Sequence, residues 1–294
     1  MVRTTPAPEF DLPAFARQTV RLHPRPDPAV AVNASKWGGP ILWPASEEWP
    51  ICTEPEWREE DDTSPPHEHR YIPVLQLRQD DFPELLFPDD TDLFQLLWCP
   101  NDHEAMISVV CKAYWRKEAA IVGPLAEVPR PAPVEEDYLP RPCRLHPERV
   151  TEYPYQSDLP AELGEAIHRW EVERGIEGPY ETEMSVAPGT KLGGYVDWIQ
   201  FEWIPTCECG HDMEHLLTIA SEEFGGHWPR WCPIEDVQAT GLSQAELETG
   251  YAYLYALEDA GRSSGIMLGD VGSLYLFICR KCPTWPIDSV VQSH

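Results

Sequence analysis

The sequence predicts an α+β protein that is dominated by strands and built from two related β-rich halves joined by a Pro-rich segment. Three observations lead to this prediction: a short motif that occurs twice, apolar runs that lead into a cysteine in each half, and few segments of helical periodicity. The 294 residues also exceed the roughly 100–200 residues of a typical domain. We predict a first half at residues 1–123, a Pro-rich strap or linker at residues 124–160, and a second half at residues 161–294.

The repeated motif gives the halves their common order of landmarks. Ser-Lys-Trp-Gly-Gly at residues 35–39 returns as Thr-Lys-Leu-Gly-Gly at residues 190–194. A tryptophan and a cysteine follow each copy, and each half then closes with an apolar run that enters another cysteine. The landmarks are Trp43, Cys52 and Cys99 in the first half, and Trp198, Cys207 and Cys279 in the second. Their shared order predicts a duplication with loop insertions between the landmarks.

The paired glycines of the motif have two interpretations. Gly38-Gly39 and Gly193-Gly194 could bind an anion through their N–H groups, and a lysine lies two residues before each pair. Pro40 follows the first pair at once, so neither a phosphate loop nor a dinucleotide fingerprint fits. Tight turns are therefore the predicted use of these glycines.

Apolar runs predict two main strands in each half. Their lengths and their content of aliphatic and aromatic residues suit buried strands. They are residues 72–77 and 92–98 in the first half, and residues 215–219 and 273–278 in the second. Between the halves, nine prolines from residue 124 to residue 160 are expected to exclude helices and central strands and to favour extended backbone.

Few helices are predicted. One starts near Ser157 or Asp158 as the cap, with Leu163, Ile167 and Trp170 on one face. A second starts near Ser243, where Glu246 completes a capping box, and extends towards Gly261. A short helix is also expected at residues 80–86.

Composition excludes several classes of protein. The chain has 22 basic and 50 acidic side chains, a formal charge of −28, so a phosphate backbone is not an expected partner. The apolar runs fall short of the roughly 20 residues of a membrane span, and the amino terminus lacks a signal-peptide hydrophobic region. The nine cysteines are odd in number and partly clustered, which favours metal binding in a reducing compartment over disulfides. We expect a cytoplasmic protein with no nucleic acid or membrane partner.

Two cysteine pairs predict a metal site. Cys207 and Cys209 flank one residue, and Cys279 and Cys282 flank two. Two such turns can present four sulfurs to one ion, which is the usual shell of structural Zn2+. Because 70 residues separate Cys209 from Cys279, the ion is expected to cross-link distant strand ends of an already sizeable domain.

The first half carries single cysteines, Cys52 and Cys99, at the corresponding places. His67, His69 or His103 could supply further ligands there. With one cysteine at each place the pattern is weaker, and the sequence leaves open whether Cys52 and Cys99 belong to a second metal site.

A competing motif lies beside the second cysteine pair. Residues 211–215 match the H-x-x-E-H pattern, in which His211 and His215 would bind zinc on a helix face and Glu214 would act as general base. Cys209 and Gly210 leave little room for a helix to start, and residues 215–219 correspond to a strand-like run of the first half, so a hairpin loop with solvated imidazoles is the preferred interpretation.

These motifs together resemble the YwqG-like family of bacterial proteins of unknown function. The resemblance rests on residues 35–39 with Trp43, on residues 191–200, and on residues 269–277, and it spans the chain from about residue 35 to residue 283. It implies a mainly β architecture with two related halves and brings no established catalytic residues. The motifs are also distantly similar to programmed cell death protein 2 and its yeast relatives, which are chaperones for a basic small-subunit ribosomal protein.

The function that we predict is a non-enzymatic, zinc-stabilised protein-binding module, with Cys207, Cys209, Cys279 and Cys282 as the metal ligands. A basic polypeptide is the expected partner, for which the protein would serve as an escort or chaperone, because the −28 charge attracts cations. Two alternatives stay open: an immunity-type protein that neutralises a toxin, and a zinc metallohydrolase that uses His211, Glu214 and His215.

Overall fold

A computed structural model describes residues 12–55, 57, 69–103, 109–125, 127–129, 135–174, 178, 180–225, 228–243, 246 and 252–294. In this part of the chain, fourteen strands form three sheets alongside four α-helices. The strand-dominated α+β fold class is therefore confirmed.

Two six-stranded antiparallel sheets make up the body of the protein. Sheet A contains, in spatial order, β10 (Glu148–Glu152), β1 (Arg17–Arg21), β11 (Lys191–Gly193), β12 (Glu214–Ala220), β13 (Ser273–Ile278) and β14 (Ile287–Gln292). Sheet B contains β2 (Pro24–Pro26), β9 (Cys143–Leu145), β3 (Lys36–Trp37), β6 (Ile72–Arg78), β7 (Leu93–Trp98) and β8 (Cys111–Arg116). A small third sheet pairs β4 (Ile51–Cys52) with β5 (His69–Arg70).

The two large sheets are arranged alike around the strands that carry Lys36 and Lys191. In sheet A, β11 lies between β1 and β12, which is followed by β13 and β14; in sheet B, β3 lies between β9 and β6, which is followed by β7 and β8. A β-bulge shifts the register between His215 and Leu217 in β12, and another does so between Pro73 and Leu75 in β6. Sheet A combines strands from all three predicted segments, because β1 lies in the first half and β10 lies in the Pro-rich segment. In sheet B, β9 of the Pro-rich segment joins strands of the first half. The duplication and its boundaries stay predictions.

One apolar core joins the two sheets. Leu276 of sheet A and Leu96 of sheet B are both fully buried and belong to the same cluster of side chains. Trp115 in β8 also meets Trp285, which precedes β14, edge to face with ring centres 5.7 Å apart. Further clusters cover the outer faces of β7 and β13, so every residue in these two strands is buried. Burial on both faces explains why their sequences are unbroken apolar runs.

The Pro-rich segment contributes one strand to each large sheet. β10 lies at the edge of sheet A, as proline-rich sequence would allow, but β9 lies between β2 and β3 in sheet B. The expectation that the prolines exclude central strands is therefore wrong for Cys143–Leu145. The reason is that Pro142 and Pro147 flank this strand, so its own N–H groups remain available for pairing.

The helices are α1 (Ala161–Arg174), α2 (Trp228–Trp231), α3 (Ile234–Ala239) and α4 (Ala252–Gly261). Single helical turns occur at Pro13–Phe15, Glu118–Ala120, Glu136–Tyr138, Gln156–Asp158 and Tyr180–Met184. None of the helices that the structure describes is both long and apolar enough to cross a membrane.

The two longer predicted helices are present, although one of them begins differently. In α1, the N–H groups of Leu163 and Gly164 donate to the carbonyl of Pro160, and neither Ser157 nor Asp158 caps the helix. Before α4, Ser243 and Glu246 form the predicted capping box, each N–H donating to the side chain of the other, at 2.8 and 3.3 Å. The residues between this box and α4 that could join them, 247–251, lie outside the described residues.

The prediction of a short helix at residues 80–86 is wrong. This segment forms turns, in which the N–H of Phe82 donates to the carbonyl of Arg78 and the N–H of Leu85 donates to the carbonyl of Phe82. Pro83 lacks the N–H that a continuing helix would need.

The glycine pairs serve as tight turns, as predicted. Gly193 and Gly194 have φ of 63° and 75°, and Gly38 and Gly39 have φ of 58° and 67°. The turn after β11 also passes over a buried ion pair, in which Nζ of Lys191 lies 2.8 Å from Oε2 of Glu152 and both side chains are fully buried. The same carboxylate accepts the N–H groups of Ala187 and Tyr195, so its charge is compensated from three sides.

We predict that Gly194→Ala destabilises the protein much more than Gly193→Ala. Both residues have positive φ, which costs an alanine about 1–2 kcal/mol. A Cβ at Gly194 would in addition lie 2.0 Å from Oε1 of Glu152, whereas a Cβ at Gly193 would meet no atom within 4 Å. Because the clash disturbs a buried ion pair, we expect Gly194→Ala to cost about 3 kcal/mol more than its neighbour in urea unfolding. Equal losses in the two variants would contradict this account.

Candidate metal centre

The antiparallel pairing of β12 with β13 brings the two cysteine pairs together. Glu214 at the start of β12 pairs with Ile278 at the end of β13. Cys207 and Cys209 lie in the turn that precedes β12, and Cys279 and Cys282 lie in the turn that follows β13. The four sulfur atoms all lie within 4.8 Å of one another.

The sulfur atoms are spaced for tetrahedral coordination. Sγ of Cys207 lies 3.6 Å from Sγ of Cys282, and Sγ of Cys209 lies 3.5 Å from Sγ of Cys279. Four sulfurs at about 2.3 Å from a central ion would form a tetrahedron with edges of about 3.8 Å. The four residues could therefore hold one metal ion with only small adjustments.

Each cysteine pair is shaped by its own turn. The N–H of Gly210 donates to the carbonyl of Cys207 at 2.7 Å, and φ of 83° at Gly210 lets the chain reverse there. The N–H of Trp285 likewise donates to the carbonyl of Cys282 at 3.1 Å. These hydrogen bonds fix both turns through the backbone, without relying on the metal.

Backbone N–H groups in the second turn favour a thiolate. Desolvation opposes ionisation of Cys279, but the N–H groups of Lys281 and Cys282 and the adjacent thiols outweigh it, and together they lower its pKa to about 7. The neighbouring thiols Cys209 and Cys207 raise the pKa of Cys282 to about 12, so in the absence of a metal ion the turn favours one thiolate, that of Cys279. A metal ion requires all of its cysteine ligands to be deprotonated.

The site is closed on one side by apolar packing. Cys207 and Cys279 are buried in a cluster with Met213, Tyr275 and Phe277, while Cys209 is exposed and Cys282 is half-buried. Four protein ligands would leave no coordination position for a substrate, which is typical of structural rather than catalytic sites.

The H-x-x-E-H motif does not form a helix. Its first residue, His211, lies in the turn, with Nδ1 3.5 Å from Sγ of Cys209. Glu214 and His215 are consecutive residues of β12 and therefore point to opposite faces. Glu214 pairs with Arg280, whereas Nε2 of His215 lies 2.9 Å from Oγ1 of Thr218. Among the described residues, no metal-binding group includes either histidine of the motif.

The environment of His215 also argues against metal binding at that residue. Desolvation, reinforced by the charge of Lys191, lowers the pKa of His215 to about 3, so the ring is neutral at physiological pH. The ring also lies 5.9 Å from that of Phe277, packed edge to face. These contacts are those of a packed strand residue.

A groove of about 880 Å³ lies beside the cysteine cluster. Its lining combines aromatic and aliphatic side chains with acidic ones, including Trp198, Phe201, Phe277, Asp158, Glu202 and Glu214. Three acidic residues, Asp158, Glu202 and Glu214, outnumber Arg17, the one charged basic residue of the lining among the described residues, because His215 is neutral. The lining therefore mixes apolar and acidic groups and carries a net negative charge.

The segment that precedes Cys207 exposes several large apolar side chains to solvent. Phe201 is 56% exposed, Trp203 is 59% exposed and Ile204 is 44% exposed. Sequence reasoning missed this feature. The available signal is the Phe-Glu-Trp-Ile run at residues 201–204, in which apolar residues follow a strand-like pattern next to a predicted metal turn.

A second group of ligands forms in the first half. The ligand atoms of Cys52, Cys99 and His103 all lie within 4.8 Å of one another. His69 is turned elsewhere, with Nδ1 2.8 Å from Nδ2 of Asn101, and His67 lies outside the described residues. Of the three histidines considered from the sequence, the structure brings His103 to the two cysteines.

The thiol of Cys52 is strongly biased towards ionisation. A hydrogen bond from Cys99, together with contacts from His103 and the hydroxyl of Tyr71, outweighs desolvation and lowers the pKa of Cys52 to about 4. Thiolate character of this kind is what a metal ligand or a reactive cysteine requires.

We predict that added Zn2+ raises the unfolding temperature of metal-free protein by about 10 °C, because an ion that binds only the folded state stabilises it by mass action. Cys209→Ala should lose most of this rise, since Cys209 is an exposed member of the cysteine cluster. The measurement is differential scanning calorimetry with and without the ion.

The matched control is Cys232→Ala, which removes a cysteine from an apolar cluster that contains none of the four ligands. This variant should retain the zinc-dependent rise, whatever its packing costs. An equal rise in Cys209→Ala and the wild type would show that the four cysteines do not form the site.

Comparison with known proteins adds no assignment. No family model matches this chain, and no curated protein matches it significantly. The resemblance to YwqG-like proteins stays a prediction from the motifs.

Proposed function

We propose that this protein is a zinc-stabilised binding module that holds a basic, partly apolar polypeptide segment in the groove beside its four-cysteine site. The observation that carries the proposal is the position of this acidic, aromatic groove directly against the metal centre. Met213 and Phe277 belong both to the groove lining and to the apolar cluster around Cys207 and Cys279. We retain membership of the YwqG-like family as part of this proposal, on its motifs alone.

Zinc is the ion that best suits four thiolates. Sulfur ligands in a tetrahedral arrangement select zinc or an iron–sulfur centre, and a pair of short cysteine turns is the common zinc arrangement. In the proposed role the ion ties the 207–210 turn to the end of β13. It thereby also anchors the segment at residues 201–206, which carries Phe201 and Ile204 into the groove wall.

Charge favours a cationic occupant. The net charge of −28 accelerates the encounter with a basic partner. Around the groove itself, Asp158 and Glu202 supply acidic groups, while Glu214 is paired with Arg280. The guanidinium of Arg17 stacks on Tyr195 at 3.9 Å and donates to the carbonyl of Gly194, so it is held against the protein's own surface.

Exposed aromatic side chains supply the apolar part of the recognition. Aromatic residues dominate the binding energy of protein interfaces, because they bury large areas at a low cost in side-chain entropy. Phe201 and Trp203 lie with ring centres 6.2 Å apart and are more than half exposed. A peptide that alternates basic and apolar residues matches this combination of acids and rings.

We predict that Glu202→Lys weakens the binding of such a peptide about tenfold, because it replaces an attractive charge with a repulsive one inside the groove. The probe is a fluorescein-labelled peptide of alternating lysine and leucine residues, titrated by fluorescence anisotropy at graded salt. Glu173→Lys is the matched control, since it makes the same change in net charge at an exposed residue of α1 outside the groove. Equal losses in both variants would indicate attraction to overall charge and would refute the groove as the binding site.

We also predict that Phe201→Ala weakens the same peptide about tenfold, which corresponds to the loss of one aromatic anchor. Leu86→Ala is the control, because Leu86 is 58% exposed, close to the 56% of Phe201, but does not line the groove. Anisotropy titrations of both variants give the comparison. Unchanged binding by Phe201→Ala, or no binding by the wild type at low salt, would overturn the proposal.

A further inference from the structure

Cys52, Cys99 and His103 have the geometry of three ligands around one ion. Sγ of Cys52 lies 3.6 Å from Nε2 of His103. With about 2.3 Å from zinc to sulfur and about 2.0–2.1 Å from zinc to nitrogen, tetrahedral coordination places these two atoms about 3.6 Å apart. Cys99 is fully buried, Cys52 is 7% exposed, and His103 is half-buried, so the group opens to solvent on the His103 side.

The imidazole of His103 is held in the orientation that a metal ligand needs. Its Nδ1 lies 3.0 Å from the backbone carbonyl of Pro55, an oxygen that can only accept a hydrogen bond. Nδ1 must therefore carry a proton, which leaves Nε2, on the side of Cys52, as the ring nitrogen that can bind a metal. Metal-binding histidines almost always donate their second ring nitrogen to a carbonyl or carboxylate in this way.

Both sulfurs also have the outer partners of a metal site. Nδ2 of Asn101 lies 3.9 Å from Sγ of Cys99 and 2.8 Å from Nδ1 of His69, so the amide links the thiol to a buried histidine. The hydroxyl of Tyr71 donates to Cys52. Such contacts orient the ligands and stabilise thiolates.

The group occupies the position in sheet B that the four-cysteine site occupies in sheet A. Cys99 directly follows β7, as Cys279 directly follows β13. Cys52 pairs with His69, close to the start of β6, and the pairing of Ile72 with Trp98 brings this region to the end of β7. The same antiparallel geometry thus delivers ligands from two segments to one point in both sheets.

We propose that Cys52, Cys99 and His103 bind a second zinc-class ion, more weakly than the four-cysteine site does. Both cysteines bind as thiolates and the imidazole binds through an unprotonated Nε2, so any other proton that these groups carry is released to solvent. The described residues supply three ligands, and water or a residue outside the described part of the chain completes a tetrahedral shell. In the four-cysteine site, by contrast, the described residues alone supply a full set of four ligands.

The test is a zinc titration of the metal-free, fully reduced chain against a chromophoric chelator. The wild type should bind two ions per chain in two steps of different affinity. Cys99→Ala should abolish only the weaker zinc-binding step, and Cys279→Ala should abolish only the tighter one. X-ray absorption of zinc-loaded Cys279→Ala should then show a mixed shell of sulfur and lighter atoms.

His103→Ala keeps the test decisive if a cysteine variant fails to fold. It should raise the zinc dissociation constant of the weaker step by at least about tenfold. Mutating a residue that only hydrogen-bonds to a metal ligand already lowers metal affinity by that much, and His103 is a proposed ligand itself. His168→Ala, an exposed histidine change on α1, should leave both steps unchanged.

Two outcomes would overturn the second site. One is a single ion per chain in the wild type that Cys279→Ala abolishes completely. The other is a Cys52–Cys99 disulfide, revealed in protein purified without reductant as two thiols fewer than the nine of the sequence, restored by reduction. Neither outcome affects the tight step, so the four-cysteine site is tested separately.

Discussion

The antiparallel pairing of β12 with β13 is the constraint on which the rest of this structure depends. Antiparallel neighbours bring the start of one strand to the end of the next. The pairing of Glu214 with Ile278 therefore delivers two cysteine turns, 70 residues apart in sequence, to one point. The bulge between His215 and Leu217 and the buried Lys191–Glu152 pair lie in the same sheet, so the core that fixes the pairing also fixes the metal site.

The metal centre and the groove are physically coupled. Four thiolates around a divalent ion would leave about two negative charges at the edge of the groove, which would add to the acidic lining. Such an ion would also restrain the chain on both sides of Cys207, including Phe201 and Ile204. A structural ion can in this way determine the shape and the charge of a binding surface without taking part in any chemistry.

The two cysteine-containing groups differ because their turns differ. In sheet A, each turn supplies two cysteines, enough for a four-ligand metal shell. In sheet B, Cys52 and Cys99 come singly, and His103, four residues beyond Cys99, lies where it could supply a third ligand. The similar order of the strands gives both groups the same place in the fold, while local sequence decides how many ligands are present.

The sequence by itself determined the strand-dominated class, the main strands, the capping box at Ser243 and the glycine turns, because these depend on local periodicity and backbone preference. Cysteine spacing also predicted that Cys207, Cys209, Cys279 and Cys282 form one group, and the structure brings their sulfur atoms together. Only the tertiary structure decided that β9 enters the middle of sheet B, that His103 rather than His69 approaches Cys52, and that Phe201 lines an acidic groove. Those features depend on pairings between residues far apart in the chain, which no local pattern encodes.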